Sequence, residues 1–452
     1  MKAWLCLVST LISLVHGYNQ EVLNPQRAAG TLRRFNVTDE LKKSVIALAQ
    51  SHELDIWGVT KSHVDIYWPS EATELPTDLE HLPHTTTKIP RWIGAHHRTK
   101  GEPDWDLRSV ANSTFHESYH PLDETEGFMR KLTEEYPDTA TVTRIGLTAE
   151  GRDLLALTVS KPGDATKLEE HGKKKKKKKK HPTVPKLNFV VVGAQHGREW
   201  VATSTSLYLA HALLVNSSEP HSLNHLLDVF NFHFISSPNP DGYVYTWETD
   251  RYWYKNRQTL APHLGCKGLD MNRNWGYKWH HEPVEGAFKP DVPVHPCTHW
   301  YPGNRPFQSA RATLPDLIGF LDLRSYGQMI STPYSYSCKR QPKDIEDLTE
   351  AAYGAAQAIK AAHGVHFDAG RVCDNLYEAP GNILDWMYSR AGVKYSYAVH
   401  LRDTGTYGFS LPPKYIRPVG EETAGMLHYL GKFIAAKKDR ECRCDFGSIA
   451  LH

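Results

Sequence analysis

From about residue 116 onward, short apolar runs of strand length alternate with longer apolar stretches of helical length. "LLALTVS", "NFVVVGA", "FNFHFISSPN", "LIGFLDLRSY" and "YSYAVHLRD" read as strands, and "ATSTSLYLAHALL" is long enough for a buried helix. This alternation predicts an α/β sheet flanked by helices, in which ligand sites lie at the carboxyl ends of strands. Polar residues able to do chemistry stand at such ends. "AQHGRE" follows "NFVVV", "NPDGY" follows "FHFISS", "RSYGQ" follows "GFLDL", and "HLRDTG" follows "YSYAV".

Upstream, the amphipathic stretch "ELKKSVIALAQSHELDIWG" precedes the β-rich "HVDIYW", which predicts a small α+β unit. The polar stretch "HHRTKGEPDWDLRSVANSTF" suits an exposed linker. The expected organisation is a leader at 1–17, a small domain and linker at 18–114, a large domain at 115–435 and a C-terminal tail at 436–452.

Composition sharpens the picture. With 452 residues, 40% of them apolar, the chain has material for a large core and is not disordered. "MKAWLCLVSTLISLVHG" places Lys2 before a short apolar run ending in Gly17, as in a secretory leader. No later segment reaches the roughly 18 to 20 apolar residues of a membrane span. A secreted or vacuolar location is therefore expected. Loss of the leader would leave Cys266, Cys297, Cys338, Cys373, Cys442 and Cys444, an even set that suits an oxidising compartment. Acceptor triplets at Asn36, Asn112 and Asn216 fit glycosylation there. The net charge of +2 conceals the block Lys173 to Lys180; without it the chain carries about −6. Such a run cannot bury apolar surface, and reads either as a solvated insertion or as a contact for an anionic polymer. Nothing in the chain calls for nucleic acid.

His196 and Glu199, three residues apart where a strand would turn into a helix, can meet one metal ion. The same pair also suits an ordinary hydrogen-bonded loop. In "LDMNRNW", Asn272 and Arg273 offer an amide and a planar guanidinium suited to gripping a carboxylate, or to an internal salt bridge.

Together, "YHPLDETEGFMRKLTEEYPD", "IGLTAEGRDLLALTVS", "GAQHGREW", "SSPNPDGYVYTW", "DRYWYKNR", "GLDMNRNW", "SYGQMISTPYSYSC", "LYEAPGNILDW" and "HLRDTGTYGFSLPP" resemble the zinc metallocarboxypeptidases of the carboxypeptidase A/B type, from about Tyr119 to Phe433. The resemblance implies a mixed eight-stranded sheet flanked by helices, with residues 35–90 as a propeptide-like domain over the site. It implies one zinc held by His196 and Glu199. Substrate-binding roles fall on Arg251, Asn272, Arg273 and the mobile Tyr377, with Leu384 lining an apolar pocket; the implied partner is a peptide or protein C-terminus. Disulfides Cys266–Cys297 and Cys338–Cys373 are likewise implied.

Three positions depart from that pattern. Arg324 stands where the family has its third zinc ligand, His400 where it has the general base, and Tyr254 where it has the oxyanion-stabilising Arg. A guanidinium has no lone pair to offer zinc and repels it. Three arrangements follow: an Arg324–Glu199 ion pair in the metal's place, weak zinc on His196 and Glu199, or a rearranged site in which His400 joins them. Loss of an oxyanion donor costs about 10² to 10³ in rate and loss of acid–base help about 10² to 10⁴. A pseudoenzyme that binds peptide C-termini or acts as a scaffold is expected, with a slow hydrolase using His400 as ligand or base as the alternative. Substitution at catalytic positions gives a narrower resemblance to the fungal inactive metallocarboxypeptidases linked with cell-wall organisation.

Overall fold

The computed structural model describes residues 29–52, 54–69, 75–89, 105–162, 186–261, 263, 265–280, 295–307 and 317–449. The leader at 1–17 and the run Lys173 to Lys180 lie outside them.

Strands β1 (Gly30–Asn36), β2 (Asp55–Val59), β3 (His63–Pro69) and β4 (His84–Ile89) form an antiparallel sheet in the order β2-β3-β1-β4. Helix α1 (Asp39–Ser51) starts where the Thr38 hydroxyl accepts from the Leu41 amide, and buries Val45, Ile46 and Ala49 against Phe35, Val64 and Ile66. This is the small α+β unit that the amphipathic stretch predicted.

The large domain carries β5 (Ala140–Leu147), β6 (Asp153–Val159), β7 (Leu187–Val192), β8 (Phe230–Ile235), β11 (Leu317–Arg324), β12 (Met329–Thr332), β13 (Asp368–Arg371) and β14 (Tyr395–His400); a short ribbon of β9 (Thr259–Ala261) and β10 (Cys266–Lys267) stands apart. Its sheet is eight-stranded and mixed, ordered β13-β12-β14-β11-β7-β8-β6-β5. The neighbours β14, β11, β7 and β8 run parallel. Both sheet faces are covered, as the uninterrupted apolar strands require. On β7, Phe189 and Val191 pack with helix α3 (Trp200–Leu214), whereas Val190 and Val192 face the other way onto helix α6 (Ile383–Ser389). Helix α3 is buried along its whole length and lies between the sheet and helix α7 (Ile416–Ile449). Helices α2 (Leu122–Glu135), α4 (Pro240–Glu248) and α5 (Ile345–His363) complete the layers.

Two expected boundaries shift. The linker was expected to run to residue 114, yet Val110 is fully buried in the large domain's core with Trp105 and Leu107 packed against it. These apolar residues, scattered in a polar stretch, find a core that local composition does not reveal. The tail expected at 436–452 continues α7 without a break to Ile449.

At the last turn of α3 sits a buried histidine pair. His116 Nε2 donates to His211 Nδ1 at 3.0 Å, and His211 Nε2 donates to the Leu107 carbonyl at 2.8 Å. Burial, only partly offset by that carbonyl and by Asp106, pushes His211 down to about 4. Burial, reinforced by His211, likewise pushes His116 well below its ordinary value. The unfolded chain takes up protons that the folded chain refuses, so stability is full above the unfolded imidazole value of about 6.5 and falls as pH drops towards 4. His211 alone accounts for about 3 kcal/mol of that loss. Denaturant titrations between these limits are expected to show a steep slope in the wild type and a flatter one in His211→Gln; equal slopes would refute the assignment.

Candidate functional site

The site forms where β7, β11 and β14 end side by side. After β7 the chain makes a tight turn: Gly193 lies against the Ser236 carbonyl and Gly197 against the Gly242 carbonyl, with no room for a Cβ at either. That turn feeds α3 and brings His196 Nδ1 within 3.3 Å of Glu199 Oε2. Across the sheet, Arg324 and His400 are register partners on β11 and β14. The structure therefore gathers His196, Glu199, Arg324 and His400; the last three line one cleft, and His196 is fully buried beside them.

The imidazole of His196 is fully committed. Its Nε2 donates to Asp270 Oδ1 at 2.9 Å, and Asp270 also accepts from the Asn272 amide at 2.9 Å. Burial opposes ionisation of Asp270, but His196 and Arg273 outweigh it and hold the carboxyl at about 2. Nδ1 thus keeps its lone pair, and Arg324 Nη2 donates to it at 2.7 Å. The same guanidinium lies 3.6 Å from Glu199 Oε1 and 3.7 Å from Asp322 Oδ2. Burial works against charge at both ends of this contact, yet Arg324 holds Glu199 below its ordinary value and Glu199 raises Arg324. The expected Arg324–Glu199 ion pair is present but secondary: the guanidinium points first at the imidazole. Tyr254 stacks on His196 with ring centroids 3.6 Å apart and planes 14° from parallel, and the Arg198 guanidinium lies 4.7 Å from the Tyr254 ring centre.

Zinc does not fit this donor set. The lone pair that His196 would give the metal is taken by Arg324, Glu199 faces the same cation, and Arg324 has no lone pair itself. Among the described residues no group of three or more His, Cys, Asp or Glu side chains is placed to hold a metal ion. The rearranged His196, Glu199 and His400 set is therefore not formed. His400 Nδ1 is buried without a partner, and burial, with Arg324 adding to it, pushes the ring down to about 3. It is therefore a neutral imidazole at neutral pH.

The residues expected to grip a carboxylate stand together. Arg273 Nη2 donates to the Tyr377 hydroxyl at 2.8 Å and Nη1 to the Asn272 carbonyl at 3.0 Å, while Asn272 Oδ1 accepts from the Ile383 amide at 3.1 Å. Asn272, Arg273 and Tyr377 line a cleft of about 440 Å³ together with Arg324, Tyr254 and His400. Two expected members do not reach it. Arg251 is buried, donates to the carbonyls of Arg198 and Phe409, and stacks over Trp200, so it braces the loop after β14 instead of meeting a substrate. Leu384 is fully buried behind Val372 and Ala398, which form the apolar surface themselves.

The small domain forms one wall of this cleft, through Ile56 to His63. Arg198 Nη1 lies 2.9 Å from both carboxylate oxygens of Asp55. Asp65 accepts from both Arg34 Nε and Nη2 at 2.7 Å and from the Tyr326 hydroxyl at 2.8 Å. Trp57 packs among Tyr67, Tyr252 and Phe409. The sequence reading missed Asp55, Asp65, Arg198, Asp270 and Asp322. Only Asp322 left a local signal, an acid two residues before Arg324 on the same face of an apolar strand.

Of the implied disulfides, Cys266–Cys297 is formed. Cys338–Cys373 is not: both are free thiols, in hydrogen-bond contact, and burial raises the Cys373 thiol and keeps it protonated. Asn36, Asn112 and Asn216 are exposed.

The sequence profile described as zinc carboxypeptidase matches residues 125–426. The inactive metallocarboxypeptidase ECM14 of Paracoccidioides brasiliensis (strain Pb03) is 33% identical, over 89% of this chain and 72% of its own length. That of Sclerotinia sclerotiorum is 30% identical, over 90% and 73%. Among solved structures, thrombin activatable fibrinolysis inhibitor superposes with a TM-score of 0.73 at 26% identity, covering 90% of this chain and 99% of that one. The carboxypeptidase A from Helicoverpa armigera, at 22% identity, shares the fold with a TM-score of 0.70 over 91% and 98%.

Asp55→Ala would leave the buried Arg198 guanidinium without its carboxylate. Such a loss costs about 3 kcal/mol. Thermal melts should show a lowered midpoint and tryptophan emission a red shift as Trp57 loosens; unchanged values would mean that the ion pair does not hold the two domains together.

Proposed function

The chain belongs to the zinc carboxypeptidase family, and on that premise we propose that it is an inactive metallocarboxypeptidase-like protein that holds peptide C-termini without cleaving them. One observation carries this reading. The residues that grip a carboxylate, Arg273, Asn272 and Tyr377, line the cleft together, whereas the groups that would drive hydrolysis are engaged elsewhere. A pocket of this size with a fixed cation and an apolar wall needs no catalyst to bind. Val372, Leu376, Ala398 and Met329 line it, which favours an apolar C-terminal side chain.

No hydrolytic step can be written through these residues. Arg324 has no lone pair with which to hold and activate a water, and Tyr254 replaces a cation with a neutral ring. The alternative of a slow hydrolase using His400 is disfavoured by the guanidinium already on His196. A platform for anionic polymer through Lys173 to Lys180 rests on sequence alone.

The proposed setting is the secretory pathway, with the protein secreted or vacuolar. Its support is the leader-like N-terminus, the Cys266–Cys297 bridge and the exposed Asn acceptors. Among the described residues no helix is long and apolar enough to cross a membrane. A role in cell-wall organisation rests only on the resemblance to the fungal inactive metallocarboxypeptidases.

N-acylated dipeptides ending in an apolar residue with a free carboxylate should bind in calorimetric titration, and their amidated forms should not. Arg273→Ala removes a charge-assisted contact and should weaken binding roughly ten- to a hundredfold. Tyr377→Phe should weaken it less. Equal binding of free and amidated peptides would overturn the reading.

A further inference from the structure

Residues 322 and 324 lie on the same face of β11, two positions apart, and both are charged in a strand that is otherwise apolar. Asp322 is fully buried. One carboxylate oxygen accepts from Gln195 Nε2 at 2.8 Å, and the other has the Arg324 guanidinium 3.7 Å away as its nearest countercharge. Arg324 is 7% exposed, donates to His196 Nδ1, and has the Glu199 and Asp322 carboxylates at 3.6 and 3.7 Å. A buried guanidinium facing Glu199 alone would leave part of its fork without an acid, and a buried Asp322 without Arg324 would be an unpaired acid.

From this arrangement we infer that Asp322 and Arg324 form one coupled unit that takes over the structural task of a metal ion, with Asp322 as the positioning residue that aims the guanidinium at His196 and Glu199. The unit supplies a permanent positive charge at the lone pair of His196, so the cleft is organised without any metal. It also hides a latent zinc site: His196 Nδ1 and Glu199 become available once Arg324 is replaced by a residue that can donate electrons. This inference stands apart from the ligand-binding reading, because neither Arg273 nor Tyr377 enters it.

The test compares full-length variants by thermal melting and by metal content after desalting. Breaking one side of a buried ion pair strands the other charge, whereas removing both sides is far better tolerated. Arg324→Met and Asp322→Ser should each lower the melting temperature by roughly 6–15 °C, and the double variant should recover at least half of that loss. The Asp322→Ser/Arg324→His variant should take up about one zinc per chain, melt higher with zinc and lose that gain to chelator. The wild type should melt at the same temperature with zinc and with chelator. Should either single variant fail to fold, the two double variants still decide, since both are expected to fold. The inference is overturned if the double loses as much as the two singles combined, if the folded Ser/His variant takes up no zinc, or if the wild type holds a metal ion whose removal lowers its melting temperature.

Discussion

A guanidinium has been placed at a strand end where little water reaches it, and the rest of the site is arranged to accept it. Arg324 ends the central strand β11, so parallel register sets it beside His400 and points it at the turn carrying His196 and Glu199. A cation in that position needs oxygen or nitrogen lone pairs at close range. His196 supplies one because Asp270 fixes its other nitrogen as the donor, and Glu199 and Asp322 supply negative charge. Tyr254 then closes over the imidazole as a neutral, flat lid. Each of these placements is intelligible from the charge at position 324.

The same economy governs the contact between the two domains. Arg198, in the turn between His196 and Glu199, reaches along the cleft wall to Asp55 on β2. The backbone turn that presents His196 and Glu199 thereby also presents a buried cation to the small domain. Trp57, sealed among Tyr252 and Phe409, adds an apolar contact to that ion pair, so one loop organises both the cleft and its wall.

Much of this was legible in the sequence. The strands around "NFVVVGA", "GFLDLRSY" and "YSYAVH" were readable because parallel strands buried on both faces are continuous apolar runs, and the polar residues that end them are thereby placed at one edge of the sheet. His196, Glu199, Arg273 and Tyr377 followed from motifs. What was not legible depends on tertiary partners. Nothing near Arg251 shows that it turns towards the carbonyls of Arg198 and Phe409, and nothing near Val110 shows that it belongs to a core begun far downstream. Nothing near Asp270 shows that His196 leans on it, and Leu384 is one layer deeper than its motif implies.

The mutual dependence of the strand-end residues bears on how such a site can change over time. With Arg324 alone exchanged for a histidine, Asp322 would be an unmatched buried acid; with Asp322 alone exchanged, the guanidinium would lose one of its acids. Each single exchange leaves one buried charge without its counterpart. Any change of charge at this strand end therefore has to be made in two places at once if the fold is not to suffer between the steps.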